Sequence, residues 1–270
     1  MAQPWLALPP PGARSASAPW GVLVAGCALG ALAALLLFAP ARWLGGLIDD
    51  ASQGHVQMRD AQGTLWDGSA QLMLTGGRDS TDASTLPGRL RWQLRPGWAQ
   101  WTLQVRADCC TVQAWHIAMA PHWGGAQWTL ADQQSAWPAQ WLSGLGTPWN
   151  TIRLQGQLLL RSEAVALQYS LGRWQVDGRL TLDALDMASR LSTLRPMGSY
   201  RLQVQGGSVP QVDLQTLQGS LQLRGRGQWT GGKLRFEGEA QATPERQEAL
   251  ANLLNIIGQR MGARSLIKLG

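Results

Sequence analysis

The sequence predicts a mainly β protein: an antiparallel twisted sheet or a β-sandwich with a C-terminal helix, preceded by one N-terminal transmembrane helix. Three observations support this fold class. Several segments alternate apolar and polar residues with a period of two, as in RLRWQLR (89–95) and WTLQVR (101–106). The 32 Gly and 15 Trp among 270 residues favour strands joined by turns. Finally, an apolar run occupies residues 20–39, and a segment near the carboxyl terminus has helical periodicity.

The amino-terminal region is predicted to hold the chain in a membrane. Residues 1–19 are rich in Pro, Ala and Ser and are expected to form a short disordered tail. Residues 20–41 are predicted as a transmembrane helix, because residues 20–39 carry no charged side chain. About 20 residues, each rising about 1.5 Å, match the roughly 30 Å hydrocarbon core of a bilayer. A cleaved signal peptide or a lipoprotein site at Cys27 fits the length of the run less well. The basic residues on its two sides do not decide the orientation.

The remaining chain is predicted to form one β-rich domain in two parts. In the second part IRLQGQLLL (152–160) alternates again, which is typical of a sheet with one packed face and one wet face. The segment between the two parts contains Pro138 and several glycines and is predicted as a short helix or loop. The predicted divisions are a linker at 42–54, the first β-rich part at 55–131, a connecting segment at 132–150, the second β-rich part at 151–243, and a C-terminal amphipathic helix and tail at 244–270.

The C-terminal helix is predicted from TPERQEALANLLNIIG (243–258). Thr243 is suited to the N-cap, Pro244 to the first helical position and Gly258 to the end of the helix. An apolar stripe with i, i+3, i+4, i+7 spacing is expected to pack on the sheet. Its members are Leu250, Leu253, Leu254 and Ile257.

The stretch GTLWDGSAQL (63–72) is predicted as a β-hairpin. Asp67 and Gly68 suit a two-residue turn in which both positions need a positive φ. This register pairs Trp66 with Ser69 and sorts apolar from polar residues onto opposite faces. It leaves Trp66 at the tip on the polar face, where the ring either packs under a neighbouring loop or contacts a partner. Trp66 is therefore a candidate contact residue. No second Trp-Asp pair follows at the period of about 40–45 residues that a propeller needs.

The adjacent cysteines Cys109 and Cys110 admit two interpretations. Neighbouring Cα atoms are only about 3.8 Å apart, so an ordinary unstrained disulfide cannot join them. Two reduced side chains at a strand end are the favoured interpretation, and a vicinal disulfide is the alternative.

No constellation of residues predicts catalysis. His55, His116 and His122 lack the spacing of metal ligands, and Asp183 and Asp186 are interpreted as surface carboxylates at a strand end. We therefore expect no catalytic residue, cofactor, metal or small-molecule substrate. The net charge of +6 comes from dispersed arginines, which alternate with tryptophans onto opposite strand faces, so nucleic acid is not an expected partner.

Three stretches resemble the type II secretion system protein N family (general secretion pathway protein N). They are GTLWDGSAQL after the apolar run, LRPMGSYRLQVQGGSVPQVDLQTLQGSLQLRGRGQW (194–229) and WTGGKLRFEGEAQATPERQEALANLLNIIGQR (229–260). The resemblance implies a single-pass inner-membrane protein with a cytoplasmic amino terminus and its bulk in the periplasm. It also implies an accessory part of the machine that exports folded proteins, with other envelope components of that machine as partners and no enzymatic activity.

The residues themselves leave other functions open. An envelope lipid-handling protein could use an apolar groove in a curved sheet, since leucines repeat along one side of the strands. Exposed tryptophans could instead bind glycans.

Overall fold

The computed structural model describes residues 20–230 and 233–270. The predicted tail, residues 1–19, lies outside the described residues. The described chain forms two units that separate between Ala39 and Pro40.

Helix α1 spans Trp20–Leu37, and its large apolar side chains that the structure describes are exposed, among them Trp20, Val22 and Leu23. Its 18 residues correspond to about 27 Å, a turn shorter than residues 20–41 would give. Pro40 is extended (φ −70°, ψ 143°), and a proline cannot donate the backbone hydrogen bond that would continue a helix through this point. Among the helices of residues 20–230 and 233–270, none is long and apolar enough to cross a membrane. The transmembrane helix predicted over 20–41 is thus not confirmed.

Most of the predicted linker, residues 42–54, is helical. Helix α2 spans Ala41–Ala51 directly after Pro40. Ala41 and Leu44 of α2 pack with Ala70 and Trp92 of the sheet. The helix forms because its apolar side chains recur at helical spacing, a signal that the two glycines in its middle obscure.

The strands form a single antiparallel sheet, so the mainly β prediction is confirmed. Of the two predicted architectures, the structure has the single sheet and not the sandwich. The strand order is β1-β2-β4-β5-β6-β7-β9-β10-β11-β12-β13-β14-β16-β15, with β3 paired to β2 and β8 paired to β9. The bounds are β1 Val56–Gly63, β2 Asp67–Thr75, β3 Ala83–Thr85, β4 Leu90–Arg95, β5 Trp101–Ala107, β6 Trp115–His122, β7 Gly125–Leu130, β8 Gln133–Pro138, β9 Gln155–Ser170, β10 Arg173–Ala188, β11 Gly198–Gly207, β12 Gln211–Gly219, β13 Leu221–Thr230, β14 Lys233–Ala242, β15 Gln259–Met261 and β16 Arg264–Leu269.

The segment 132–150 contains a strand that the sequence prediction missed. Strand β8 pairs with the first half of β9, and β7 pairs with its second half. A 3-10 helix over Ala139–Leu145 follows, and helix α3 covers Trp149–Ile152. Strand β9 thereby joins the two predicted β-rich parts in one sheet.

The largest core cluster lies beneath the C-terminal helix. A 3-10 turn at Pro244–Arg246 leads into helix α4, Gln247–Ile257. Leu250, Leu253 and Leu254 are buried against apolar residues of the sheet, as the predicted stripe requires. Thr243 makes no side-chain cap, and Gly258 is extended rather than left-handed. The predicted tail after the helix instead forms β15 and β16, and β16 pairs with β14.

Candidate interaction face of the sheet

Two rows of apolar residues run across six neighbouring strands on one face of the sheet. Residues directly opposite each other on antiparallel strands lie on the same face, so the strand register defines each row. We call the ten residues the apolar ladder. The first row is Leu94, Leu103, Ile117, Leu130 and Val165, and the second is Trp101, Met119, Trp128, Leu167 and Val176.

The apolar ladder is half-buried at every one of its positions. The core cluster under α4 differs, because Leu250, Leu253 and Leu254 cover the sheet there and are almost fully buried. A soluble monomer rarely exposes a contiguous apolar surface of this kind unless the surface binds something. The ladder is therefore the part of the sheet best suited to a partner.

Aromatic rings extend the ladder at both ends. The rings of Trp66 and Trp101 have centroids 6.1 Å apart, and those of Trp128 and Trp174 are 5.6 Å apart. Tyr169 lies 4.8 Å from Trp174, again centroid to centroid. Tilted rings at these separations add to the free energy gained from burial alone.

The hairpin that carries Trp66 forms, but in a different register from the one predicted. Gly63 pairs with Gly68 and Gln62 with Ser69, and the strand bounds leave Thr64, Leu65 and Trp66 between β1 and β2. The Thr64 Oγ1 accepts the backbone N–H groups of Trp66 (3.3 Å) and Asp67 (3.1 Å). This side-chain bonding stabilises a longer loop than the predicted two-residue turn. The positive φ falls on Gly63 (85°) instead of on the Asp-Gly pair.

We expect replacement of Trp66 by Ala to lower the free energy of unfolding by about 1–3 kcal/mol, because the half-buried ring loses its contact with Trp101. Urea unfolding followed by circular dichroism measures the change. The matched control is Trp98→Ala, since Trp98 is fully exposed. If both variants were as stable as wild type, the ring of Trp66 would not be needed for packing, and contact with a partner would be its role.

The two adjacent cysteines are joined by a disulfide in the structure. They lie in the turn between β5 and β6, with Cys110 buried and Cys109 exposed. The Thr111 hydroxyl bonds to both the N–H (2.9 Å) and the carbonyl (3.0 Å) of Ala107, and the Ala136 N–H donates to the Cys110 carbonyl (2.8 Å). These bonds hold the turn against β8, away from the strand ends near Trp66.

Asp183 is not the surface carboxylate that the sequence predicted. It lies within β10, and its side chain is 3% exposed between two arginines of the neighbouring strands. Arg201 donates to both carboxylate oxygens (2.6 and 2.8 Å), and Arg161 donates at 2.9 Å. The hydrogen bonds from Arg201 hold the pKa of Asp183 below its usual range, with the charge of Arg161 acting in the same direction. With both arginines as partners, Asp183 is a structural ion pair rather than a free acid or base.

The three histidines do not come together. Within residues 20–230 and 233–270, no group of three or more His, Cys, Asp or Glu is placed to hold a metal ion. His122 contacts the Ser170 hydroxyl at 3.5 Å at the end of β6, and His55 contacts the Ser52 carbonyl at 2.8 Å.

The sheet that carries the ladder matches a known family. The family model described as type II secretion system (T2SS), protein N matches residues 54–266. The chain belongs to the type II secretion system protein N family. This membership confirms the resemblance carried by the hairpin and by the stretches at 194–229 and 229–260. No curated protein and no solved structure gives a match.

The matched region contains the whole apolar ladder, Trp66 and the Cys109–Cys110 turn. It begins after α2 and ends within β16. The family is a component of the secretion machinery and is not a known family of enzymes. Sequence patterns identify ladder residues that share one strand, but they do not show which strands lie side by side. The alternation of Trp101, Leu103 and Val105 gave one strand, but its partners Met119 and Trp128 depend on the pairing of distant strands.

Proposed function

We propose that the protein is an accessory inner-membrane component of the type II secretion machinery, and that it supports export of folded proteins through periplasmic contacts made by the apolar ladder. Family membership supports the involvement in secretion. The half-buried ladder is the observation that supports contact as the mode of action. Its ten apolar positions form a continuous surface that burial in a complex would stabilise by about 25 cal/mol per Å² removed from water.

The placement in the envelope is part of the same proposal. The exposed apolar side chains of α1, among them Leu23, Leu29 and Leu37, would be unfavourable in water and suit a lipid environment. The proposed topology is a single-pass inner-membrane protein with a cytoplasmic amino terminus and the sheet in the periplasm. It rests on this apolar surface together with the family, and resistance of the protein to alkaline extraction from membranes tests the attachment.

Deletion of the gene is expected to trap secreted enzymes in the periplasm. The wild-type gene should restore secretion, and Leu167→Asp should fail to restore it because the charge falls in the middle of the ladder. Secreted enzyme activity in the medium and in the periplasm measures the effect. The matched control is Gln168→Asp, since Gln168 follows Leu167 in β9, is equally half-buried and points to the other face.

Two measurements keep this experiment decisive. Immunoblotting and limited proteolysis show whether Leu167→Asp accumulates as a folded protein. Normal secretion by the deletion strain, with no second copy of the gene present, would refute the secretion role. Normal secretion by a folded Leu167→Asp protein would refute the role of the ladder and would leave the secretion role standing.

A lipid-handling role is the second candidate, and the same surface supports it. Acyl chains need an accessible apolar face, which the half-buried ladder offers. Leu154 and Leu158 belong to the cluster under α4, so the ladder is the better place to look for bound lipid. Two results together would favour this role over the first. Lipid would co-purify with the wild-type protein and be lost from Leu167→Asp, and the deletion strain would secrete normally.

A further inference from the structure

One rim of the sheet collects alternate turns of the antiparallel strands. Gly63 pairs with Gly68, Arg95 with Thr102, and His122 with Gly125, so three hairpins end on this side. Gly125 pairs with Ser170, and Ser170 with Arg173, which adds the β9–β10 turn. We call this edge the hairpin rim. It comprises the turns 64–66, 96–100, 123–124, 171–172 and 208–210 with the strand ends beside them, and the paired ends of β13 and β14 at Thr230 and Lys233.

The hairpin rim exposes large apolar side chains at the tips of its turns. Trp98 and Trp123 are fully exposed (107% and 102%), and Leu171 is 89% exposed. Trp174 and Val209 are also exposed beside their turns. Trp98, Trp123 and Leu171, at the tips of three separate hairpins, contribute little to the stability of the fold, because their side chains are almost fully exposed.

Charge on the hairpin rim is mainly positive. The charged residues at the described strand ends are Arg95, Arg173, Lys233 and Asp67, which is three cations against one acid. The turns of the opposite rim mix both charges, for example Asp108 and Asp132 with Arg190 and Arg195, and the large apolar side chains exposed there include Val112 and Trp149.

We propose that the hairpin rim docks on the surface of a bilayer containing anionic phospholipid, with Trp98, Trp123 and Leu171 inserted at the level of the headgroups. Tryptophan favours this level because its ring is apolar and its N–H remains hydrogen-bonded. Arginine and lysine beside the rings complement phosphate, and each basic residue near an anionic surface contributes about 1 kcal/mol. A row of tips along one edge suits a fluid lipid surface, which needs no pocket for each ring.

This inference does not rest on the secretion role, and it concerns a surface separate from most of the apolar ladder. Trp101 of the ladder begins the strand that follows the Trp98 turn, and Trp174 lies beside the Leu171 turn. The rim and the ladder therefore meet, so docking would bring one end of the ladder to the lipid.

The test uses the tryptophans themselves as reporters. The full chain is reconstituted with vesicles of phosphatidylethanolamine and phosphatidylglycerol, with or without bromine on the acyl chains. Subtracting the fluorescence of the double variant Trp98→Phe/Trp123→Phe from that of wild type isolates the emission of the two tips. Both side chains are fully exposed, so the substitutions leave the fold intact. The difference between wild type and Trp92→Phe, from a buried ring, is the matched control.

We expect brominated lipid to quench most of the emission from Trp98 and Trp123 and little of that from Trp92. The quenching should weaken in vesicles of phosphatidylcholine alone, because the cationic side chains lose their anionic partner. The proposal would be overturned if bromine left the emission from the tips unchanged and soluble acrylamide quenched it. Both rings would then lie in water. Capture of a protein, without any lipid, by a photo-crosslinker at position 123 in cells would overturn it in favour of a protein partner.

Discussion

Replacement of Leu254 by Ala should lower the free energy of unfolding by about 2–5 kcal/mol, the usual cost of removing a buried leucine side chain from a packed core. Leu254 is 1% exposed and lies in the cluster that joins α4 to the sheet. The turn of helix around it is also tied to β16, because the Ser265 hydroxyl donates to the Leu254 carbonyl. The helix cannot move into the cavity without disturbing that strand. Urea unfolding of the full chain in detergent, followed by circular dichroism, measures the loss.

The control for Leu254 lies two residues further along the same helix. Ile256 is 41% exposed, and Ile256→Ala should change the free energy of unfolding by no more than about 1 kcal/mol. Both substitutions alter helix propensity in a similar way, so the difference between them reports burial. Similar losses from the two variants would contradict the burial of Leu254 between α4 and the sheet.

The local parts of the fold could be predicted because each depends on a short repeating pattern. The stripe Leu250, Leu253 and Leu254 identifies α4 and the side that is buried, since the helical period fixes both. Alternation over 89–95 and 101–106 identifies β4 and β5 within one residue of each end. These patterns depend only on residues a few positions apart, which is why they survive without knowledge of the tertiary structure.

Elements that depend on distant partners could not be predicted in this way. Strand β16 has the short pattern RSLIKL and forms because it completes the edge of β14. Strand β8 forms because β9 is long enough to pair with two strands in succession. The register of the first hairpin was wrong because the hydroxyl of Thr64 offers the loop a set of hydrogen bonds that the Asp-Gly rule does not consider.

The candidate site shows the same division. Trp66 could be identified as a ring at a hairpin tip, but its neighbour Trp101 is 35 positions away in the sequence. The apolar ladder combines residues from six strands, and only their pairing shows that these residues share a face. The hairpin rim likewise follows from the alternation of turns in the finished sheet. The pattern within one strand shows which of its residues share a face of the sheet, but it does not show which residues of other strands lie beside them.

Asp183 is predicted at the surface from its own strand alone, because the arginines that cover it belong to neighbouring strands. Its replacement should have the second large effect on the free energy of unfolding. Asp183→Asn keeps the shape of the side chain but removes the charge that accepts bonds from Arg161 and Arg201. The carboxylate is 3% exposed, whereas the two arginines are 41% and 31% exposed and can turn partly to water. We therefore expect a loss of about 1–3 kcal/mol, the range for a buried hydrogen-bonding group deprived of its partner. Urea midpoints at neutral pH measure it.

Asp213→Asn is the matched control, because Asp213 forms its pair with Arg226 at the surface, where both side chains are exposed (44% and 91%). Surface pairs contribute about 0–1 kcal/mol, so this variant should unfold close to wild type.

The pH dependence separates the charge of Asp183 from its shape. Its pKa is lowered in the folded protein, mainly by the hydrogen bonds from Arg201. The folded state therefore binds the proton less readily than the unfolded state, and the ionised pair stabilises the protein above the unfolded pKa of about 3.9. That contribution is lost as the pH falls through the lower pKa of the folded state. The difference between wild type and Asp183→Asn should be constant near neutral pH and shrink below about pH 4. A difference that persists in acid would assign the effect to packing of the side chain rather than to the ion pair.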